Sequence, residues 1–285
     1  MKKPIFLCAI SNISSGSCNE DCKFCTQAVQ YKADIERYKY KQIKTIIEEA
    51  KQAKANGAVG MCLVTAGKGI DSKILAFVCE AARAVKAEVQ DLLLIACNGT
   101  ANIEQLQTLK EAGIDAYNHN LETSRDFYPT ICTTHTWDER YETCKNVNEV
   151  GLMLITGGIF GMGETQQDRL SMLQSIESLS PMSVPINFFH PNAALPIQNN
   201  IQNIEEAFSL LNLSRQIINE NSRIMIAGGR EITFGTRQKE IFSNGADAIV
   251  IGNYLTTAGN DANSDLSMIK SLGFRVATGE DCSGS

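Results

Sequence analysis

The residues with the clearest chemical potential are three cysteines. Cys18, Cys22 and Cys25 stand in the segment SGSCNEDCKFCTQ with C-x3-C-x2-C spacing. A loop of that length can wrap a small polynuclear cluster and turn each thiolate inward. A cubane iron–sulfur cluster held by only three protein sulfurs keeps one iron open to chelate an outside ligand. Zinc is the competing occupant, but a structural zinc site takes four ligands, usually as two spaced pairs, and this segment supplies no fourth cysteine or histidine.

Polar groups set among apolar strand residues form a second tier. YNHNLETS packs Asn118, His119, Asn120 and Glu122 into one short run, offering amide donors and acceptors beside a carboxylate. Asn187 in VPINFF requires a hydrogen-bond partner once buried, and that partner is either the protein or a ligand. The glycines of GGIFGMGET permit close backbone approach to a ligand or simple tight packing. His119 reads as a satisfied polar residue at a strand rim, and Arg140 in TWDERYE as a helix-surface charge unless a ligand claims it.

The elements that must position these residues alternate regularly. Strands are expected at Phe6–Ile10, Gly60–Val64, Leu92–Ala96, Ala116–Asn120, Leu152–Thr156, Val184–Phe188, Arg223–Ala227 and Ala248–Gly252. Helices are expected near 41–56, 72–90, 102–112, 137–150, 165–179, 204–219, 236–244 and 264–272. Alternation of this kind requires a parallel sheet, because each crossover helix returns the chain to the same end. Eight such units in 285 residues predict a closed (β/α)8 barrel of the TIM type, with an open doubly wound sheet as the alternative. In such a barrel the active site lies at the strand C-termini, where the first strand delivers the three cysteines.

Composition narrows the partners. A formal charge of −6 argues against general binding to nucleic acid or an anionic membrane. No run of about 18 apolar residues occurs, and MKKPIFLCAI is too short in apolar residues for a secretion signal. The expectation is a cytoplasmic protein with reduced thiols, so a disulfide scaffold explains its ten cysteines poorly. One domain is expected over 1–285, with a C-terminal tail that frays from about residue 276.

The cysteine spacing, with Phe24 before the last cysteine, resembles the radical S-adenosylmethionine (SAM) superfamily. The blocks SGSCNEDCKFCTQ, YNHNLETS, TGGIFGMGET, VPINFF and AGGRE, in that order, resemble the biotin synthase family over nearly the whole chain. The resemblance implies a [4Fe–4S] cluster on Cys18, Cys22 and Cys25 whose open iron binds SAM, cleaved to methionine and a 5′-deoxyadenosyl radical. It further implies sulfur insertion into dethiobiotin from a second cluster, a reducing electron-transfer protein, cluster-assembly machinery and a homodimer. By the same resemblance Asn120 lies between SAM and dethiobiotin, and Glu122 takes a ribose-binding position usually held by Asp. Arg140 matches a SAM-carboxylate arginine, Gly161 belongs to a segment along the SAM adenosine, and Asn187 meets dethiobiotin.

The second cluster is where the sequence departs from the family. Its usual ligands are three cysteines and an arginine, and the resemblance carries over Cys62, Cys97 and Arg230. The remaining cysteine position is Ile155, a side chain that cannot ligate iron. Three outcomes stay open. Cys8 on the first strand completes the site, a larger sulfide-bearing cluster replaces the usual [2Fe–2S], or the second cluster is lost and a related mutase, lyase or maturase remains. Cys79 and Cys144 read as core residues, and Cys132 in PTICTTHTW stays open as a ligand.

Overall fold

Short apolar strands and capped helices close into a parallel barrel. A computed structural model describes residues 3–201 and 203–282. The strands are β1 (Pro4–Ser14), β2 (Gly60–Thr65), β3 (Leu93–Cys97), β4 (Ala116–Asn118), β5 (Met153–Ile155), β6 (Gly158–Phe160), β7 (Ser183–Phe188), β8 (Arg223–Ile226), β9 (Ala248–Val250) and β10 (Arg275–Val276). Every ladder between them is parallel, and pairing of β1 with β9 closes an eight-staved barrel. The expected barrel is thus present, and the open sheet is excluded by the β1–β9 register Phe6↔Ala248 to Cys8↔Val250.

Between the strands run α1 (Ile43–Ala55), α2 (Ser72–Glu88), α3 (Ile103–Glu111), α4 (Tyr128–Ile131), α5 (Trp137–Val150), α6 (Gln166–Glu177), α7 (Ile204–Ile217), α8 (Arg230–Phe234) and α9 (Ala262–Ser271). Their starts are written in the sequence. Asn102 with Gln105 and Thr136 with Glu139 form reciprocal capping boxes, each satisfying two otherwise orphaned amide donors. None of the described helices is long and apolar enough to cross a membrane.

Strand alternation sorts the apolar residues into two layers. Leu7, Leu63, Leu94, Ile186, Ile224 and Ile226 pack outward against the helices. Cys8, Cys62, Val64, Ile95, Ile155, Met225 and Val250 fill the barrel interior. This period-2 division decides which residues meet the cavity at the top.

Three expectations are corrected. The strand expected over Leu152–Thr156 is the shorter β5, and a separate strand that was not expected, β6, follows it. Gly157 sits between them with its Cα against β7, where an added Cβ would lie 1.9 Å from the Pro185 carbonyl oxygen. The helix expected at 236–244 is a 3₁₀ stretch, Gly235–Asn244. The tail does not fray at 276. Val276 pairs with Ile5, Ala277 is buried, and Asp281 is held by Arg275 Nη1 at 2.7 Å, so residues 276–282 are docked.

Candidate active site

The loop after β1 is a tight turn tied to its own backbone. Cys25 N–H donates to Cys22 O at 3.0 Å, Ala28 N–H to Cys25 O at 3.2 Å, and Val29 N–H to Cys18 O at 2.9 Å. Gln27 Oε1 accepts the Gly16 amide at 2.6 Å, which fixes the entry to the loop. Cys18, Cys22 and Cys25 consequently line one cavity, together with Asn118, His119, Asn120, Glu122, His135 and Arg140. Burial raises the Cys18 thiol and pushes that of Cys25 up to about 11, so these side chains are protonated until a metal takes the proton's place.

The opposite wall is built on Arg140 in the first turn of α5. Its Nε donates to the Asn120 carbonyl at 2.6 Å, Nη2 to Glu122 Oε1 at 2.9 Å and Nη1 to His135 Nε2 at 3.3 Å. Burial raises the Glu122 carboxyl while the Arg140 charge pulls it back toward ionisation. Glu122 also has a left-handed backbone, φ 69°, which is uncommon for a residue with a side chain. Its carbonyl accepts the Ile159 amide at 2.8 Å, so pairing with the β6 end holds that conformation.

A deeper cavity adjoins the first, sharing Val64, Cys97, Asn118, Asn120, Glu122 and Leu255 with it. Its floor carries Cys8, Cys62 and Cys97 from consecutive strands, with Cys8 Sγ 3.9 Å from Cys62 Sγ. Burial and the Cys8 hydrogen bond push the Cys62 thiol well up, and burial takes that of Cys97 to about 12. Ile155 and Met225 form the facing apolar wall.

The residues fit the groups that the resemblance implies. Asn118 Oδ1, Asn120 Oδ1 and His119 Nε2 are buried without a hydrogen-bond partner on these walls, as ligand-binding groups are before a ligand is present. The three-cysteine loop faces them. His119 is therefore not the satisfied rim residue expected. Burial instead holds its imidazole neutral, with an orphaned nitrogen at the cavity.

Not every expected residue arrives. Arg230 is fully buried at the start of α8, forked onto Asp265 at 2.8 and 2.7 Å and donating to Val250 O at 3.3 Å. It lies beyond the end of β8 and outside the wall of the deeper cavity, so it is not a cluster ligand. The β8 residue that faces the interior is Met225, as strand alternation demands. Gly161 is likewise outside the cavity wall. Its amide donates to Glu164 Oε1 at 2.9 Å within a turn that Arg169 braces by donating to the same oxygen at 2.8 Å. Asn187 does line the deeper cavity, yet its amide also bridges Gly158 O at 3.1 Å and Gly228 N at 2.9 Å, so one face of it is structural. Cys79 and Cys144 are buried among core residues.

A further cluster was only half legible in the sequence, which left Cys132 open as a ligand but gave His135 no role. Cys132 and His135, just before α5, dock onto the cysteine loop through Asp21, which accepts from Thr133 N at 2.8 Å and Thr134 N at 3.1 Å. The hydrogen bond from Cys22, opposed by burial and reinforced by His135, pulls the Cys132 thiol down. The C-x2-H spacing was the available signal, but its partners stand more than a hundred residues earlier.

A Radical SAM superfamily model matches residues 12–176, and a Biotin and Thiamin Synthesis associated domain model matches residues 185–275. The chain is 61% identical over 278 residues to the biotin synthase of Sulfurimonas denitrificans, covering 98% of this chain and 99% of the relative. It is 54% identical over 274 residues to that of Campylobacter jejuni subsp. jejuni serotype O:23/36, covering 96% and 98%. Among solved structures it is similar to the FeFe-hydrogenase maturase HydG from Carboxydothermus hydrogenoformans, with a TM-score of 0.81 at 16% identity over 95% of this chain and 67% of that one. It is also similar to methylornithine synthase (PylB), with a TM-score of 0.79 at 20% identity over 98% and 85%. At those identities the structural likeness shows the fold alone. The sequence matches carry further: the chain belongs to the biotin synthase family of the radical SAM superfamily.

Proposed function

We propose that this protein is an enzyme that inserts sulfur into dethiobiotin to form biotin. The observation that carries the reading is the pair of adjoining cavities, with Cys18, Cys22 and Cys25 on the upper, Cys8 and Cys62 on the lower, and Cys97, Asn118, Asn120 and Glu122 on the wall they share. Cys18, Cys22 and Cys25 would hold a [4Fe–4S] cluster, and Cys8, Cys62 and Cys97 an auxiliary iron–sulfur cluster. When bound, these groups supply the electron that cleaves SAM and the sulfur atom that enters the product.

The chain's own residues have separable tasks. Arg140 offers a fixed cation to the SAM carboxylate, and Glu122 accepts from ribose hydroxyls. Asn120, whose side chain faces both cavities, positions SAM and dethiobiotin against one another. Asn187 offers its remaining hydrogen-bonding capacity to the ureido ring. Ile155, Met225 and Val250 keep the lower cavity apolar, which limits water around a reactive centre. A reducing electron-transfer protein and cluster-assembly machinery are the partners this chemistry needs.

Cys8 favours this reading over loss of the second cluster. A mutase or lyase has no use for three thiols converging on the barrel floor. We expect anaerobic turnover with dethiobiotin, SAM and a reductant to give biotin or a thiolated intermediate. 5′-Deoxyadenosine alone would overturn sulfur insertion.

A further inference from the structure

The dock between the cysteine loop and the 132–135 segment brings together a second ligand set, distinct from the three-cysteine set but sharing one member. Cys22 Sγ lies 3.6 Å from Cys132 Sγ and 4.0 Å from His135 Nε2, and Cys132 Sγ lies 3.8 Å from the same nitrogen. These three atoms form a near-equilateral face. With Zn–S bonds of about 2.3 Å and Zn–N bonds of about 2.0–2.1 Å, tetrahedral zinc requires ligand–ligand edges of about 3.5–3.8 Å. The three atoms are near enough to share one ion once the His135 ring turns, since Cys132 Sγ lies nearer its Nδ1, at 3.3 Å, than its Nε2.

The surroundings set the histidine for that role. His135 Nδ1 lies 2.8 Å from Glu20 Oε2, so an Nδ1–H donated to the carboxylate leaves Nε2 unprotonated and able to take a metal. Carboxylate–histidine pairs of this kind orient metal-binding imidazoles and raise their basicity. Arg140 Nη1 donates into that lone pair at 3.3 Å, and a metal would displace it. Arg140 then keeps its bonds to Asn120 O and Glu122. Asp21 holds the two segments in register through the Thr133 and Thr134 amides whether or not a metal is present.

We propose that the cluster-free protein binds one zinc ion through Cys22, Cys132 and His135, with the fourth position open to the cavity. Because Cys22 is shared, zinc and the [4Fe–4S] cluster exclude one another, a consequence that rests on the proposed assignment of Cys22 to that cluster. Zinc therefore parks the loop in a closed, redox-inert state that must be vacated before the cluster is assembled.

The test uses full-length protein made metal-free under anaerobic conditions, with Zn²⁺ titrated against a chromophoric chelator and Co²⁺ as a spectroscopic substitute. The expected result is one Zn²⁺ per chain and a Co²⁺ spectrum of tetrahedral geometry with two thiolates. Loss of a group that only orients a metal ligand already costs about 10–100-fold in metal affinity, so Cys132→Ser and His135→Asn should each weaken binding about 100-fold or more. Cys25→Ala should bind zinc as tightly as the parent. Absence of stoichiometric zinc overturns the site, as does a cobalt spectrum with one or three thiolates. So does zinc that survives Cys132→Ser but is lost in Cys25→Ala, since that ion sits on the three-cysteine loop. The cobalt spectrum of the parent protein decides the matter even where a variant fails to fold. Iron and sulfide added to the zinc-loaded protein should build cluster absorbance only as zinc is released, and cluster growth with zinc retained overturns the exclusion. If zinc-free protein takes up no cluster at all, the cluster assignment fails while the zinc stoichiometry still stands.

Discussion

Replacing Glu122 by Gln keeps the side-chain shape and removes the charge that both Arg140 and a ribose would use. A hydrogen bond to a charged group is worth about 1.5–3 kcal/mol, so Glu122→Gln should weaken SAM binding about 10–100-fold, read as the dissociation constant under anaerobic equilibrium dialysis. Cys8→Ala should remove auxiliary iron and sulfide while leaving the four-iron signal of the upper site, and unchanged iron and sulfide would remove Cys8 from the ligand set. Arg230 gives the opposite outcome. Arg230→Met leaves Asp265 buried without its partner, a change that costs about 3–5 kcal/mol, so the urea midpoint falls while auxiliary iron per folded chain stays constant. Legibility at this scale followed sequence distance. Cys18, Cys22 and Cys25 could be read because the turn that gathers them is local. Met225 could not, because a matching Arg stands five residues on and only the strand's inward alternation separates the two.

Among the elements, the contact between the cysteine loop and the segment before α5 depends on one carboxylate. Burial opposes ionisation of Asp21, but the hydroxyl and amide of Thr133, with help from Cys132 and the Thr134 amide, hold its carboxyl well below the usual range. A group depressed in the folded state stabilises the dock above the ordinary carboxylate pKa and loses that contribution as pH falls through the folded value. Asp21→Asn should therefore speed exchange of the Thr133 and Thr134 amides at neutral pH, and the difference from the parent should vanish on acidification. A difference that persisted in acid would show that the carboxylate charge is not the clamp. Between β5 and β6, Gly157→Ala places a methyl group on the Pro185 carbonyl, so loss of soluble, folded protein is the expected outcome. The capped starts of α3, α5 and α6 were legible, since each is a side chain bonding an amide three residues on. The docked tail was not, because its hold comes from β1, at the other end of the chain, and from Arg223 on β8.

For the molecule as a whole, closure of the barrel is what makes the chemistry possible. The lower sulfur set draws on β1, β2 and β3, and the wall facing it on β5, β8 and β9, so an open sheet would leave the thiols on a bare face. The repeat of strand and helix made closure readable, but not which side chains would meet at the axis. The β1–β2 ladder places Cys8 beside Cys62, and closure through β1 and β9 sets Ile155 into the wall that faces them. The most direct measurement is anaerobic turnover of the reconstituted protein and its Cys8→Ala variant with dethiobiotin, SAM and a reductant, scoring biotin and 5′-deoxyadenosine together. Two working cluster sites predict both products from the parent protein, and 5′-deoxyadenosine without biotin from the variant. 5′-Deoxyadenosine with neither biotin nor a thiolated intermediate from the fully reconstituted parent would contradict the account.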